Sequence, residues 1–168
     1  WQTVWLESVN RKHISNLQTV PDIDNRKLKV KACTEGTGFG DIVEVVVKNG
    51  GSVVAKSKGA VGQALEISIP DQILWSPENP HLYDMEVSLY SQGKLQDKVK
   101  SYAAMRNVST KRDENGIVRL QLNNKDYFQF GPLDQGWWPD GLYTAPTDEA
   151  LVFDIQKTKD FGFNMIRK

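Results

Sequence analysis

The sequence predicts a mainly β protein, in which an immunoglobulin-like antiparallel sandwich is followed by a shorter segment with one helix. Apolar and polar residues alternate in short runs through the first two-thirds of the 168 residues. These runs recur roughly every 8–16 residues with Gly- or Asn-containing turns between them, which is typical of a two-sheet sandwich of about a hundred residues. No helical period of comparable length interrupts them before residue 112.

The strands follow this alternation in chain order. We predict strands at Trp1 to Val9, His13 to Leu17, Leu28 to Ala32, Val43 to Val47, from Val53, at Leu65 to Ile69, Tyr83 to Leu89 and Leu95 to Tyr102. Asn49-Gly50-Gly51 and Gln92-Gly93 provide turn residues for tight hairpins, because glycine adopts positive φ without strain. Cys33 is the single cysteine, so an internal disulfide is excluded and packing alone must hold the two sheets together.

The pattern changes after residue 112. Asp113 to Gly116 and Asn123-Asn124 predict two hairpin turns, with strands at Ile117 to Leu122 and Tyr127 to Phe130. Thr147 is a suitable N-cap for a helix that should run to about Asp160. Asp148 and Glu149 would lie at its positive end and Gly162 just past its other end.

This helix is expected to connect two parallel strands. Leu151 and Ile155 lie one turn apart and should face a core. Phe163 to Ile166 is a nearly unbroken apolar run, which predicts a strand buried on both faces. Strand, helix and strand make one βαβ unit. A (β/α)8 barrel needs about 250 residues, so residues 113–168 can begin such a barrel but cannot close it.

Charge and composition exclude several classes of function. The 21 Lys and Arg residues balance the 21 Asp and Glu residues, so the chain lacks the charge excess of a nucleic-acid or polybasic membrane-surface binder. No apolar run approaches the roughly 18 residues of a membrane helix. His13, His81 and Cys33 are far apart and no phosphate-loop or H-E-x-x-H motif is present, so we expect no metal and no cofactor. Because the chain begins at Trp1 rather than Met, we expect an excerpt or processed product of something larger.

Five stretches carry a family resemblance. They are Trp1-Gln2-Thr3-Val4-Trp5-Leu6-Glu7, Pro21-Asp22-Ile23-Asp24, Leu74-Trp75-Ser76-Pro77-Glu78-Asn79-Pro80-His81-Leu82-Tyr83, Asn123 to Gly131, and Gly162-Phe163-Asn164-Met165-Ile166-Arg167. Together they resemble, in the right order, glycoside hydrolase family 2, which contains β-galactosidases, β-glucuronidases and β-mannosidases. The third stretch is similar to the family's W-x-P-x-x-P-x-L-Y, and the last to its G-F-N-x-[IV]-R.

The resemblance implies three parts: residues 1–10 as the last strand of an N-terminal jelly roll, 11–112 as the immunoglobulin-like sandwich, and 113–168 as the incomplete start of a catalytic TIM barrel. It implies a parent O-glycosyl hydrolase, β-galactosidase-like, that acts on carbohydrate by a retaining two-carboxylate mechanism, often in the periplasm or outside the cell. The family's catalytic glutamates lie on later barrel strands. None of the eight glutamates here is in a matching context, so we expect no catalytic residue and no activity from the chain alone.

The candidate substrate-binding residues of that parent lie near the ends of the two predicted barrel strands. They are Arg167, Asp134, Gln135, Trp137 and Trp138. The resemblance implies that the arginine orders the carboxylates of the sugar site. Indole faces stack on sugars, and carboxylates and amides bind hydroxyls, although the tryptophans could equally seal the barrel mouth. Many family members carry N-R-H where this chain has Leu133 to Trp138, which leaves the sugar open.

Two other functions remain open from the sequence. One is a stand-alone carbohydrate-binding or adhesion sandwich, and the other is a structural spacer domain. Trp75 is itself expected to be structural, its indole covering the end of the sandwich at a corner that Pro77 and Pro80 fix. Leu151, Ile155, Phe163 and Met165 would lack barrel partners in this chain. We therefore expect the residues after about 112 to fold back, exchange between chains or stay mobile, and to permit self-association through exposed barrel surfaces.

Overall fold

A computed structural model describes residues 4–168 of the chain as two compact units. The first unit comprises Trp1–Ser109 with Leu122–Asn124, and the second comprises Thr110–Gln121 with Lys125–Lys168. Within residues 4–168, no helix has the length and apolar character needed to cross a membrane.

The first unit contains seven strands in two antiparallel sheets. They are β1 (His13–Asp22), β2 (Lys27–Glu35), β3 (Ile42–Asn49), β4 (Ser52–Ala60), β5 (Ala64–Ser68), β6 (Tyr83–Ser91) and β7 (Lys94–Ala103). One sheet has the order β1-β2-β5 and the other β4-β3-β6-β7. The predicted mainly β, antiparallel fold is confirmed, and the strands predicted between residues 13 and 102 agree with these to within a few residues.

The core lies between the two sheets and follows the alternation. Val43, Val45 and Val47 are buried, whereas Glu44 between them is partly exposed. Opposite them, Leu28 and Val30 of β2 have no accessible surface. Because each strand turns only its apolar side inward, removal of apolar surface from water stabilises the packed sheets.

Tyr83 fixes the connection that leads into β6. The residue is buried, and its hydroxyl accepts a hydrogen bond from the backbone N–H of Ile73 at 2.7 Å. Its ring meets that of His81 edge-on, with 4.8 Å between ring centroids. The phenol therefore ties the start of β6 to backbone ten residues upstream.

Trp75 lies at the proline-rich corner, where its backbone makes two hydrogen bonds to distant parts of the chain. Its backbone N–H donates to the carbonyl of Met105 at 2.9 Å, and its backbone carbonyl accepts from Asn123 Nδ2 at 2.9 Å. The guanidinium of Arg106 lies 4.8 Å from the centre of its ring. Asn123 and Asn124 both have positive φ, as the predicted hairpin turn requires.

A polar network ties the chain to the sandwich where it enters β1. Lys12 Nζ lies 2.8 Å from Asp41 Oδ2 and 2.8 Å from Ser91 Oγ. The backbone N–H of Gly38 also donates to Asp41 Oδ2, at 2.9 Å. Hydrogen bonds from Lys12, Ser91 and Gly38 lower the pKa of Asp41 to about 2.

We expect this network to make the sandwich sensitive to acid. The pKa of Asp41 is lower in the folded chain than its ordinary value. The stabilisation that the ionised carboxylate gives the fold is therefore present above about pH 4 and is lost as the pH falls toward 2. Asp41→Asn should therefore lower Tm at neutral pH, and the two proteins should converge near pH 2. Thermal unfolding between pH 7 and pH 2 measures this.

The matched control is Asp71→Asn, at an exposed turn position, which should follow the unsubstituted protein at every pH. Glu86, whose pKa Lys48 and Lys98 lower to about 2, is retained in every protein. A constant Tm difference between Asp41→Asn and the unsubstituted chain down to pH 2 would contradict the assignment.

After the sandwich, three strands and one helix follow. The strands β8 (Val108–Arg112), β9 (Val118–Leu122) and β10 (Lys125–Asp126) form a sheet of order β10-β9-β8, and the helix α1 spans Asp148–Asp160. The predicted cap is confirmed, since Thr147 Oγ1 accepts from the N–H of Ala150 at 3.2 Å. Gly162 follows the helix with φ of 83°.

Some predicted strands are wrong. Of the strand predicted at Trp1 to Val9, residues 1–3 lie outside the described residues, and residues 4–9 form no strand because no segment pairs with them. The strand predicted at Tyr127 to Phe130 is not formed: β10 ends at Asp126, and one further hydrogen bond follows, from the N–H of Tyr127 to Leu120 O. β8 was not predicted, because its Ser-Thr-Lys-Arg run lacks the apolar alternation that marks the other strands.

The second unit also lacks the buried face predicted for it. Leu151 and Ile155 were expected to face a core, but 38% and 60% of their surfaces are exposed. Phe163 to Ile166 forms no continuous strand, and its apolar side chains are half-buried rather than buried on both faces. The physical reason is that no side chain of this unit is buried, so no apolar layer packs against these residues.

Candidate functional site

The candidate residues lie around two parallel segments of the second unit, residues 130–134 and 164–168. The N–H of Asn164 donates to the carbonyl of Phe130 at 2.9 Å. The N–H of Arg167 donates to Pro132 O at 3.0 Å, and its carbonyl accepts from the N–H of Asp134 at 2.9 Å. Because α1 lies between these segments along the chain, the helix is the crossover that lets the two segments run parallel.

Two residues explain the close approach of these segments. A Cβ at Gly131 would collide with the backbone carbonyl oxygen of Met165, so only glycine fits there. Asn164 holds the other segment by its side chain, since its Oδ1 accepts from the N–H of Phe130 and its Nδ2 donates to Phe128 O, both at 2.8 Å. The glycine and the asparagine therefore set the register of the pair.

Gly131→Ala should open this parallel pair while leaving the sandwich intact. The added methyl group must displace the Met165 carbonyl, which breaks the neighbouring backbone hydrogen bonds. We expect amide hydrogen exchange at Asn164 and Arg167 to accelerate at least about tenfold, because opening these bonds exposes the amides to water. Gly38→Ala, which meets open space, is the control and should leave both amides unchanged. Equal exchange in the two variants would contradict the packing argument.

The pairing places Arg167 and Asp134 on opposite sides of the two segments. Arg167 lies directly opposite Leu133 in a parallel bridge, and side chains of successive residues alternate between faces. Asp134 and Ile166 instead line a cavity with Asp154 and other residues of α1. Their positions in the sequence predicted that Asp134 and Arg167 belong to one cluster, but the backbone register places them on different faces of the two segments.

Lys168 is a functional candidate that sequence reasoning missed. Its Nζ lies 2.5 Å from Asp134 Oδ2, and the N–H of Gly136 donates to Asp134 Oδ1 at 2.7 Å. Lys168 first, and then this N–H, lower the pKa of Asp134 and keep it ionised. Its position in the sequence could have indicated this role. Lys168 lies two residues after Ile166, so both side chains lie on the Asp134 side once the register is known.

Arg167 carries an unpaired charge at the site. It is exposed, and within residues 4–168 its guanidinium makes no ion pair. A guanidinium presents five donors in a fixed plane, which suits a carboxylate or paired hydroxyls. This side of the segments can therefore order an acidic group or a polar ligand.

The aromatic loop that follows residue 134 presents two rings to solvent. Trp137 and Tyr143 meet edge-on with centroids 5.1 Å apart, and they are 62% and 79% exposed. Trp138 is half-buried, and its backbone exchanges two hydrogen bonds with Leu142, at 2.7 and 3.1 Å. Gln135 is exposed. Exposed ring faces held by a short loop can stack on the apolar face of a sugar.

The two glutamates of the second unit lie apart from this end of the segments. They lie in the β8–β9 turn (Glu114) and in the first turn of α1 (Glu149). The pKa of Glu149 is lowered by helix backbone N–H and by the Thr147 hydroxyl, which is a capping role. Among residues 4–168, no group of three or more His, Cys, Asp or Glu side chains could hold a metal ion.

Comparison with known proteins gives a family and a fold. Residues 12–106, more than half of the chain, match the family model described as glycosyl hydrolases family 2. The β-galactosidase of Lactobacillus delbrueckii subsp. bulgaricus is 25% identical over 175 residues, which cover 99% of this chain and 17% of that protein. The β-galactosidase of Thermoanaerobacter pseudethanolicus is 25% identical over 180 residues, covering 99% and 23%.

The crystal structure of Ruminococcus gnavus β-glucuronidase matches with a TM-score of 0.78 at 15% identity, and the match covers 95% of this chain and 26% of that one. At this identity the likeness concerns the fold. The chain spans between 17% and 26% of the length of these three proteins.

Proposed function

Because this chain belongs to glycosyl hydrolase family 2, we propose that it is part of a longer enzyme that hydrolyses O-glycosidic bonds in carbohydrates. The single observation that carries the proposal is the family match over residues 12–106. The two β-galactosidases that align with nearly the whole chain support it, as does the small share of each that the chain spans.

In this proposal the sandwich is the middle domain, residues 1–10 close a preceding jelly roll, and residues 113–168 begin the catalytic barrel. The parallel pairing of residues 130–134 with 164–168 through α1 supports the barrel assignment, since a barrel is built from such units. The retaining mechanism needs two carboxyl groups about 5–5.5 Å apart, and both would come from barrel strands outside these 168 residues.

Within that enzyme the exposed side of the parallel segments would form part of the sugar site. Arg167 would order the catalytic carboxylates, since barrel active sites lie at the carboxyl ends of strands. Trp137 would stack on the sugar, because 62% of its surface is exposed. Gln135 and Trp138 are also proposed to lie at this site, and Asp134 would support it from the α1 side.

The test is to express both this chain and the complete gene product, and to assay each with a panel of nitrophenyl β-galactosides, β-glucuronides and β-mannosides. We expect turnover of at least one substrate by the complete protein and none by the chain alone. Turnover by the 168 residues, or an inactive but folded complete protein, would each contradict the proposal.

A further inference from the structure

One loop of the sandwich holds a large aromatic side chain entirely in water. The loop is residues 36–41, between β2 and β3, and the surface of Phe39 at its tip is fully exposed, at 112% of the reference value. A single exposed apolar residue is ordinary on a protein surface. The feature that distinguishes Phe39 is the rigidity of its support.

The loop is fixed from several directions. The N–H of Asp41 donates to Gly38 O at 3.2 Å, which closes a turn whose third residue, Gly40, has φ of 86°, as a type II turn requires. Asp41 is buried and bonded to Lys12. A Cβ at Gly36 would collide with the carbonyl oxygen of Arg11. Phe39 is therefore presented by a preformed loop, which reduces the entropy cost of binding a partner.

Residues 4–9 lead into β1 at the same end of the sandwich, and their apolar side chains are exposed. Val4, Trp5 and Leu6 are 89%, 70% and 101% exposed. Apolar side chains at consecutive positions would occupy both faces of a strand, a pattern typical of strands covered on both sides. Asn10, whose Nδ2 donates to the carbonyl of Gln96, holds the end of this segment against β7. The next residues, Arg11 and Lys12, run along the loop, at Gly36 and Asp41.

We propose that Phe39 is a docking anchor for a β-sheet domain of the same polypeptide, the domain that takes residues 4–9 as one of its strands. The inference rests on the proposed function, because it assigns the partner to the longer enzyme. Any sheet that pairs with residues 4–9 must lie next to the segment that Asn10 and Lys12 hold against the sandwich. An apolar socket in that domain would bury the Phe39 ring.

Site-specific photo-crosslinking in the complete gene product tests this. With p-benzoylphenylalanine in place of Phe39, we expect an intramolecular crosslink to residues that precede Trp1 in the gene, identified by mass spectrometry. The matched control carries the same analogue in place of Val53, which is exposed at the opposite end of the sandwich, and should give at least about fivefold less of this product. A crosslink between two copies, a crosslink only to residues after 112, or no crosslink would overturn the proposal.

A second measurement tests the proposal without the photo-crosslinking analogue, in case the analogue is poorly incorporated. Phe39→Ser should leave the Tm of the 168-residue chain unchanged, because the ring contacts nothing there, and should lower the Tm of the complete protein by at least about 2 °C. Equal Tm values in the complete protein would overturn the docking role. Glycosidase assays of the same preparations distinguish this failure from failure of the proposed function.

Discussion

Replacing Arg167 by alanine in the complete enzyme is expected to lower kcat/KM about 100-fold or more, with the loss mainly in kcat. The guanidinium is unpaired and exposed at the carboxyl end of a parallel segment, so its donors are available to order the reacting carboxylates. Removing one preorganised donor from such a site costs about 10²–10³ in rate. Steady-state kinetics on the best nitrophenyl glycoside measures the effect, and Arg167→Lys should restore only a small part, because an ammonium lacks the planar fork.

Lys168→Ala is the matched control for this prediction. The neighbouring cation faces the opposite side and binds Asp134, so its removal should reduce kcat/KM by less than about tenfold, the range of an indirect positioning effect. If Lys168→Ala were as damaging as Arg167→Ala, the assignment of the two faces would be wrong. Circular dichroism of both variants must match the unsubstituted enzyme for the comparison to hold.

The second large effect concerns the stability of the sandwich. Tyr83→Ala should lower the free energy of unfolding by about 3–5 kcal/mol, the cost of removing a buried aromatic ring and leaving a cavity. The ring is fully enclosed, it contacts His81, and its hydroxyl accepts the N–H of Ile73. Urea unfolding of the 168-residue chain, followed by tryptophan fluorescence, measures the change.

Two further substitutions separate the contributions at this position. Tyr83→Phe keeps the ring but leaves the Ile73 N–H without its acceptor, and should cost about 1–2 kcal/mol. Tyr102→Ala removes a tyrosine that is 66% exposed and should change stability by less than about 1 kcal/mol. A Tyr83→Phe variant as stable as the unsubstituted chain would mean that the phenol does not hold the corner.

The sequence predicted best what depends on neighbours along the chain. The alternation of Val43, Val45 and Val47 was sufficient to place β3 and its inward face, and Thr147 marked the start of α1 to the residue. In both cases the deciding interaction spans a few residues: one side of a strand, or one turn of a helix. These local rules also located the hairpin turn at Asn123-Asn124.

Features that depend on long-range register were not predictable. The pairing of Lys168 with Asp134 and the division of Asp134 and Arg167 between two faces follow from which residues meet across the parallel segments. The hydroxyl of Tyr83 finds its partner ten residues upstream through the shape of a corner, which alternation does not encode. For Leu151 and Ile155 the spacing of one turn predicted a face that packs on a core, but it could not show that nothing in this unit covers these side chains.

The uneven distribution of buried side chains has a consequence for biosynthesis. All fully buried apolar residues of the described chain lie at or before Met105, so a ribosome releases everything that the sandwich core needs before α1 is made. The sandwich can therefore fold cotranslationally and independently. The helix, with Val152 and Phe153 in water, emerges as an apolar segment that chaperones can recognise.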